Sequence, residues 1–177
     1  MKYLALLRGV NVGGNSIIKM SDLKEAVEQS GFINVKTFIN SGNIIFESDE
    51  THSSKINTVL EEALKKRFNL ESRVFLLTYE QFKDILDRVP EDWKKRRDIR
   101  CYIAFVREPV GVKDVIKEIK LKEGVDFVRG GKGAVYLTTL TSGLTKSGFT
   151  KLISTPVYKD ITLRNYTTAQ KLLALMK

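Results

Sequence analysis

The sequence predicts a mixed α+β fold in two similar halves. Three observations carry that prediction. Strand-like and helix-like segments follow one another as β-α-β-β-α-β through the first half. After a charged stretch the same order begins again. A glycine-containing turn joins two strands at the matching place in each half, at 40–43 and at 130–133. This element order is the split βαβ, or ferredoxin-like, unit, so the expected architecture is two ferredoxin-like (βαββαβ) halves packed together. The expected divisions are 1–89, a linker at 90–98, and 99–177.

Each element has a local reason. Residues 3–7 are apolar on both faces, which suits a strand covered on both sides. A first helix is predicted over 22–30, with Ser21 as N-cap and Gly31 as its stop. Residues 35–39 and 44–47 are rich in strand formers, and Asn40, Ser41, Gly42 and Asn43 form the tight turn between them. A long helix at 54–68 carries Ile56, Leu60 and Leu64 on one stripe. A strand at 73–77 closes the first set. Thr78 with Gln81 reads as a capping box for a third helix, which Pro90 ends.

The second half repeats the plan with changes. A strand at 99–106, a helix at 112–122 and strands at 125–129 and 134–138 follow in order. The stretch 142–156 supports only a short helix near 147–153. A strand at 157–161 and a helix at 167–176 complete a second half with a modified helical C-terminus.

Composition narrows the function classes. Hydrophobic residues make up 42% and charged residues 29% of the 177, an ordinary globular balance that argues against disorder. No apolar run approaches the ~20 residues of a membrane span. Residues 1–7 are too short for a signal-peptide core, and Cys101 is the single cysteine, so no internal disulfide forms and a cytoplasmic setting is expected. Charge is uneven. Residues 1–89 hold 12 Lys and Arg against 12 Asp and Glu, and residues 90–177 hold 18 against 9. That excess suits either a polyanionic partner or a solvated surface.

Four stretches carry candidate chemistry. Arg8, Asn11, Gly13, Gly14 and Asn15 follow the first strand. Glycines let backbone approach a ligand, amides add donors and acceptors, and Arg8 can clamp a phosphate or carboxylate. The loop matches neither dinucleotide-binding nor P-loop spacing. Arg164 and Asn165 precede the last helix, where an arginine beside a helix N-terminus favours an anion. The turn Asn40, Ser41, Gly42, Asn43 is a secondary candidate and is expected at the far end of the sheet from the Arg8 loop. Lys94-Lys95-Arg96-Arg97 beside Trp93 reads as a nucleic-acid patch or as a solvated linker. His52 is the single histidine and has no triad partner in view. No Cys/His cluster has metal-ligand spacing and no cofactor motif is present, so neither a metal nor a cofactor is expected.

Several of these residues also form a pattern. Leu7-Arg8-Gly9-Val10-Asn11-Val12-Gly13-Gly14, then Met20 with Leu23, Gly31-Phe32, and Asn40-Ser41-Gly42-Asn43 with Phe46 resemble the bacterial domain-of-unknown-function family 1697. Arg164-Asn165-Tyr166 with Thr168, then Lys171-Leu172, resemble its C-terminal pattern, with Tyr166 where members commonly carry Trp. The resemblance implies a ferredoxin-like α+β architecture and a bacterial cytoplasmic protein, with no established activity. The function expected from the residues is binding of a phosphate-bearing ligand, a nucleotide or RNA, by the Arg8 loop. The alternatives are an enzyme that uses arginine charge stabilisation without histidine or metal, and a protein-interaction module.

Overall fold

The computed structural model describes residues 1–11 and 17–177. They form a mixed α+β chain with two four-stranded antiparallel sheets. The chain divides into two compact units, Met1–Phe82 with Leu172–Lys177, and Lys83–Lys171.

In the first unit the order is β1 (Lys2–Leu7), α1 (Met20–Gln29), β2 (Ile33–Phe38), β3 (Asn43–Glu47), α2 (Ser53–Phe68) and β4 (Val74–Thr78). The sheet order is β2-β3-β1-β4, and every neighbouring pair is antiparallel. As expected, β1 is central. Tyr3 through Leu7 are each at most 1% exposed, so both faces are covered. Tyr3, Ala5 and Leu7 join Leu23 and Val27 of α1 and Ile56, Leu60 and Leu64 of α2 in one core cluster. Each large side chain there contributes about 1.5–3 kcal/mol by leaving water.

Local capping differs in one place from expectation. The first helix begins at Met20, its N-cap is Lys19, and Ser21 Oγ donates to Asp22 Oδ1 at 3.1 Å instead of capping. The other box forms as expected. Thr78 N donates to Gln81 Oε1 at 2.9 Å, and Gln81 N donates to Thr78 Oγ1 at 3.2 Å, at the start of α3 (Tyr79–Asp87). The division between units falls within α3. The stretch 90–98 holds a short 3-10 helix, Glu91–Lys94, with Trp93 buried in it.

The second unit runs β5 (Ile99–Val106), α4 (Val112–Glu118), β6 (Asp126–Gly130), β7 (Ala134–Leu140), three 3-10 helices (Thr141–Lys146, Gly148–Ser154, Pro156–Asp160), β8 (Ile161–Asn165) and the start of α5 (Tyr166–Leu175), whose residues from Leu172 on count with the first unit. Its sheet order is β6-β7-β5-β8, again antiparallel throughout. The last strand lies four residues beyond the expected 157–161. Pro156 opens a 3-10 turn, and the alternation Ile161, Thr162, Leu163, Arg164 supplies the strand that pairs with β5.

A buried carboxylate pins the irregular stretch to the sheet. Asp126 opens β6 and is 5% exposed. It accepts from Ser147 Oγ at 2.7 Å, Gly148 N at 2.8 Å and Lys122 N at 2.9 Å. Gly148 is obligatory, because a Cβ there would lie 1.6 Å from the Lys120 carbonyl oxygen. Burial pushes the Asp126 carboxyl up, but the bonds from Lys122, Ser147 and Gly148 more than offset this and hold it below the usual range.

Candidate functional site

In the first unit the Arg8 loop and the Asn40 turn meet. This corrects the expectation that they lie at opposite ends of the sheet. Because β3 runs antiparallel to β1, the turn that starts β3 sits beside the end of β1. Leu7 N donates to Gly42 O at 2.8 Å. Asn11 Nδ2 donates to Asn40 O at 3.0 Å and to Ile18 O at 3.0 Å, while Asn11 Oδ1 accepts from Ile18 N at 2.8 Å. The Asn11 amide is thus a clamp that closes its own loop onto the turn. Its φ of 56° is left-handed, a conformation asparagine tolerates better than most residues. Gly42 has a φ of 68°, and a Cβ there would meet Leu7 Cβ at 2.8 Å. Asn43 is fully buried, donating to Phe38 O and to Ser41 Oγ at 2.9 Å each. Arg8 is half-buried. Its backbone N donates to Arg73 O at 3.3 Å, and its carbonyl accepts from Ser72 Oγ at 2.7 Å. Gly13, Gly14 and Asn15 lie outside the described residues.

Arg164 and Asn165 belong to the second unit, where they end a strand and, as expected, directly precede the last helix. Arg164 pairs opposite Ile103 in β8 and is 8% exposed. Its Nη1 donates to Thr162 Oγ1 at 3.0 Å and to Leu163 O at 2.8 Å, and burial pushes the guanidinium down to about 10. Asn165 ends the strand, is exposed, and directly precedes α5.

Asn165 lines a cationic cleft of about 640 Å³ in this unit. The 3-10 helix and the start of β5 bring Lys94, Arg96, Arg97 and Arg100 to the cleft, and the first turn of α5 brings Tyr166, Thr167 and Thr168. That first turn holds no acidic residue. Among the described residues neither Asn165 nor Thr167 makes a side-chain capping bond. The first N–H groups of the helix therefore face the cleft without a side-chain partner. Arg96 is neutralised by Asp98, with Nε to Oδ1 at 2.9 Å and Nη2 to Oδ2 at 2.6 Å. These bonds raise the arginine and lower the aspartate from their ordinary values. Among the described residues Lys94, Arg97 and Arg100 make no ion pair.

The aromatic residue of the basic run has a structural task. Trp93 is 6% exposed, donates from Nε1 to Thr138 Oγ1 at 2.7 Å, and packs on Tyr136 and Tyr166 with ring centroids 5.9 and 5.2 Å away. Tyr136 in turn donates to Ile85 O at 2.7 Å. Cys101 lines the cleft, and burial pushes its thiol up to about 11, so it is protonated near neutrality. His52 is exposed and paired with Glu50, Nδ1 to Oε1 at 2.6 Å. Among the described residues no three His, Cys, Asp or Glu side chains cluster as metal ligands would, and no helix is long and apolar enough to cross a membrane. The arrangement can hold an anion; among the described residues it shows no nucleophile with an adjacent base.

Fold and cleft together define an α+β protein with two four-stranded antiparallel sheets and a cleft lined by Lys94, Arg96, Arg97 and Arg100 in the second unit. The chain belongs to the DUF1697 family, described as a protein of unknown function, whose profile matches residues 1–136. A solved structure titled as conserved bacterial protein SP0830 from Streptococcus pneumoniae is similar over 99% of this chain and 98% of that one, at 28% identity and a TM-score of 0.85. A comparison with curated proteins gives no match.

Proposed function

We propose that the protein binds a phosphate-bearing ligand, a nucleotide or RNA, in the cationic cleft of the second unit. One observation carries the reading. Three cations without ion-pair partners among the described residues, Lys94, Arg97 and Arg100, share the cleft with a helix N-terminus that has no acid in its first turn and, among those residues, no side-chain cap. Asp98 is paired with Arg96, so these three like charges repel one another, and an anion relieves that repulsion. The excess of basic residues in 90–177 supports the same reading. Cytoplasmic location is part of it, in keeping with the single cysteine. We also read the two units as ferredoxin-like halves related by duplication. Their strand orders, β2-β3-β1-β4 and β6-β7-β5-β8, support this.

A second reading keeps the ligand at the Arg8 loop, with Arg8, Asn11, Gly13, Gly14 and Asn15 as its pocket. The observation in its favour is the Asn11–Asn40 bond, which joins two candidate stretches into one place.

Titration calorimetry of the whole chain against nucleoside triphosphates and short RNAs, at two salt concentrations, tests both readings. A ligand at about 100 times its dissociation constant also stabilises the fold by ~2.7 kcal/mol, readable as a thermal shift. In the cleft reading, Arg97→Glu with Arg100→Glu weakens binding at least about tenfold and Arg8→Ala leaves it unchanged. The reverse pattern selects the loop. Affinity for every phosphate probe unchanged in both variants rejects both. RNA binding declines steeply with salt, and a mononucleotide responds less.

A further inference from the structure

The second unit departs from the first where its second long helix would be. In the first unit α2 lays Ile56, Leu60 and Leu64 against the sheet. In the second unit that part of the chain is three 3-10 helices. Runs of 3-10 helix are short, so no single continuous helix covers this part of the sheet. Between them and the sheet lies a chamber of about 340 Å³. Tyr102, Leu137 and Leu163 form its sheet wall, Phe149 and Tyr158 form the opposite side, and Ile153, 62% exposed, stands on its lining.

We propose that this chamber receives the base of a nucleotide whose phosphates lie in the cationic cleft. The inference rests on the cleft reading and narrows it to a mononucleotide. Asn165 lines both spaces. It pairs opposite Tyr102 in the sheet; Tyr102 lines the chamber, and its neighbour Cys101 lines the cleft. A ligand with one charged part and one flat apolar part can therefore span the two around the end of β8. The lining also suits a base better than an aliphatic chain. Three aromatic rings, from Tyr102, Phe149 and Tyr158, surround it. Thr139, 2% exposed, stands in the wall behind these rings, with its hydroxyl toward the Asp126 carboxylate. The Asn165 amide adds a donor and an acceptor at the rim. The volume is at the small end of ligand cavities, as one ring system requires.

Calorimetry with the four nucleoside triphosphates, inorganic tripolyphosphate and a short single-stranded RNA decides it. At least one nucleotide binds the wild-type chain about tenfold or more tightly than tripolyphosphate. Ile153→Trp fills the chamber from an exposed position, brings that nucleotide down to the affinity of tripolyphosphate, and leaves tripolyphosphate unchanged. Equal affinity of nucleotides and tripolyphosphate overturns the chamber and leaves the cleft standing, as does a nucleotide preference untouched by Ile153→Trp. Binding of RNA without any mononucleotide also overturns it, in favour of a strand lying along the cleft. No binding of any phosphate probe overturns cleft and chamber together.

Discussion

Replacing Asp126 with alanine removes one acceptor from three donors. Ser147 Oγ reaches one carboxylate oxygen at 2.7 Å, and the N–H groups of Gly148 and Lys122 reach the other at 2.8 and 2.9 Å. A buried donor left unpaired costs about 1–3 kcal/mol, and such losses at one site do not add in full. The expected destabilisation is therefore about 3–5 kcal/mol. Asparagine is milder. With its amide nitrogen turned toward Ser147 Oγ, which then accepts where it had donated, its oxygen still accepts both backbone N–H groups, and the charge and the acceptor for the serine O–H are lost, at about 1–2 kcal/mol. Urea unfolding followed by tryptophan fluorescence reads the effect, because the chain has one tryptophan, Trp93, buried in the same unit. The sign of the pH dependence follows from the lowered carboxyl. Its stabilisation is complete above the unfolded carboxylate range, near pH 4, and is lost as pH falls through the folded value. The gap between wild type and Asp126→Ala is thus full at pH 7 and narrows in acid. A gap below about 1 kcal/mol at pH 7, or one that widens on acidification, refutes the reasoning.

Two further outcomes are expected. The Cys101 thiol, at about 11, is almost wholly protonated at pH 8, so alkylation of the folded chain should run about 100-fold slower than of the unfolded chain, measured by mass spectrometry over time; equal rates would count against the burial argument. Asn11→Ala removes three hydrogen bonds and places a Cβ-bearing residue without an amide in the left-handed region, so a loss of about 2–4 kcal/mol is expected. Amide exchange at Ile18 should quicken in that variant, and unchanged protection there would show that the clamp is not needed.

Much of the fold was legible because regular periodicity fixes both element type and the buried face. Residues 3–7, apolar on both faces, read as a covered strand, and Ile56, Leu60 and Leu64 as a helix stripe, and both faces are buried. The irregular stretch 141–160 carries no sustained period, so its three 3-10 turns and the chamber behind them were hidden. Thr162 and Arg164 alternate with Ile161 and Leu163, a strand signal that an arginine beside a helix start obscured. At the candidate sites, residue type outran geometry. An asparagine in a glycine-rich loop looks like a ligand group, but Asn11 spends its amide on its own loop and on Asn40. The Lys94–Arg97 run was visible, whereas its convergence with Arg100 and the start of α5 depends on the pairing of β5 with β8.

The central position of β1 has a consequence during synthesis. Its five fully covered residues, Tyr3 to Leu7, find their sheet neighbours only in β3 and β4, and β4 ends at Thr78. At ~5–20 residues per second the ribosome takes roughly 4–14 seconds to travel from Leu7 to Thr78. Until Glu47 is made the nascent chain carries an apolar strand with both edges unpaired, and from there to Thr78 one edge stays open, the state in which chains adhere to one another or to a chaperone. Each further second of pausing before codon 78 lengthens that exposure.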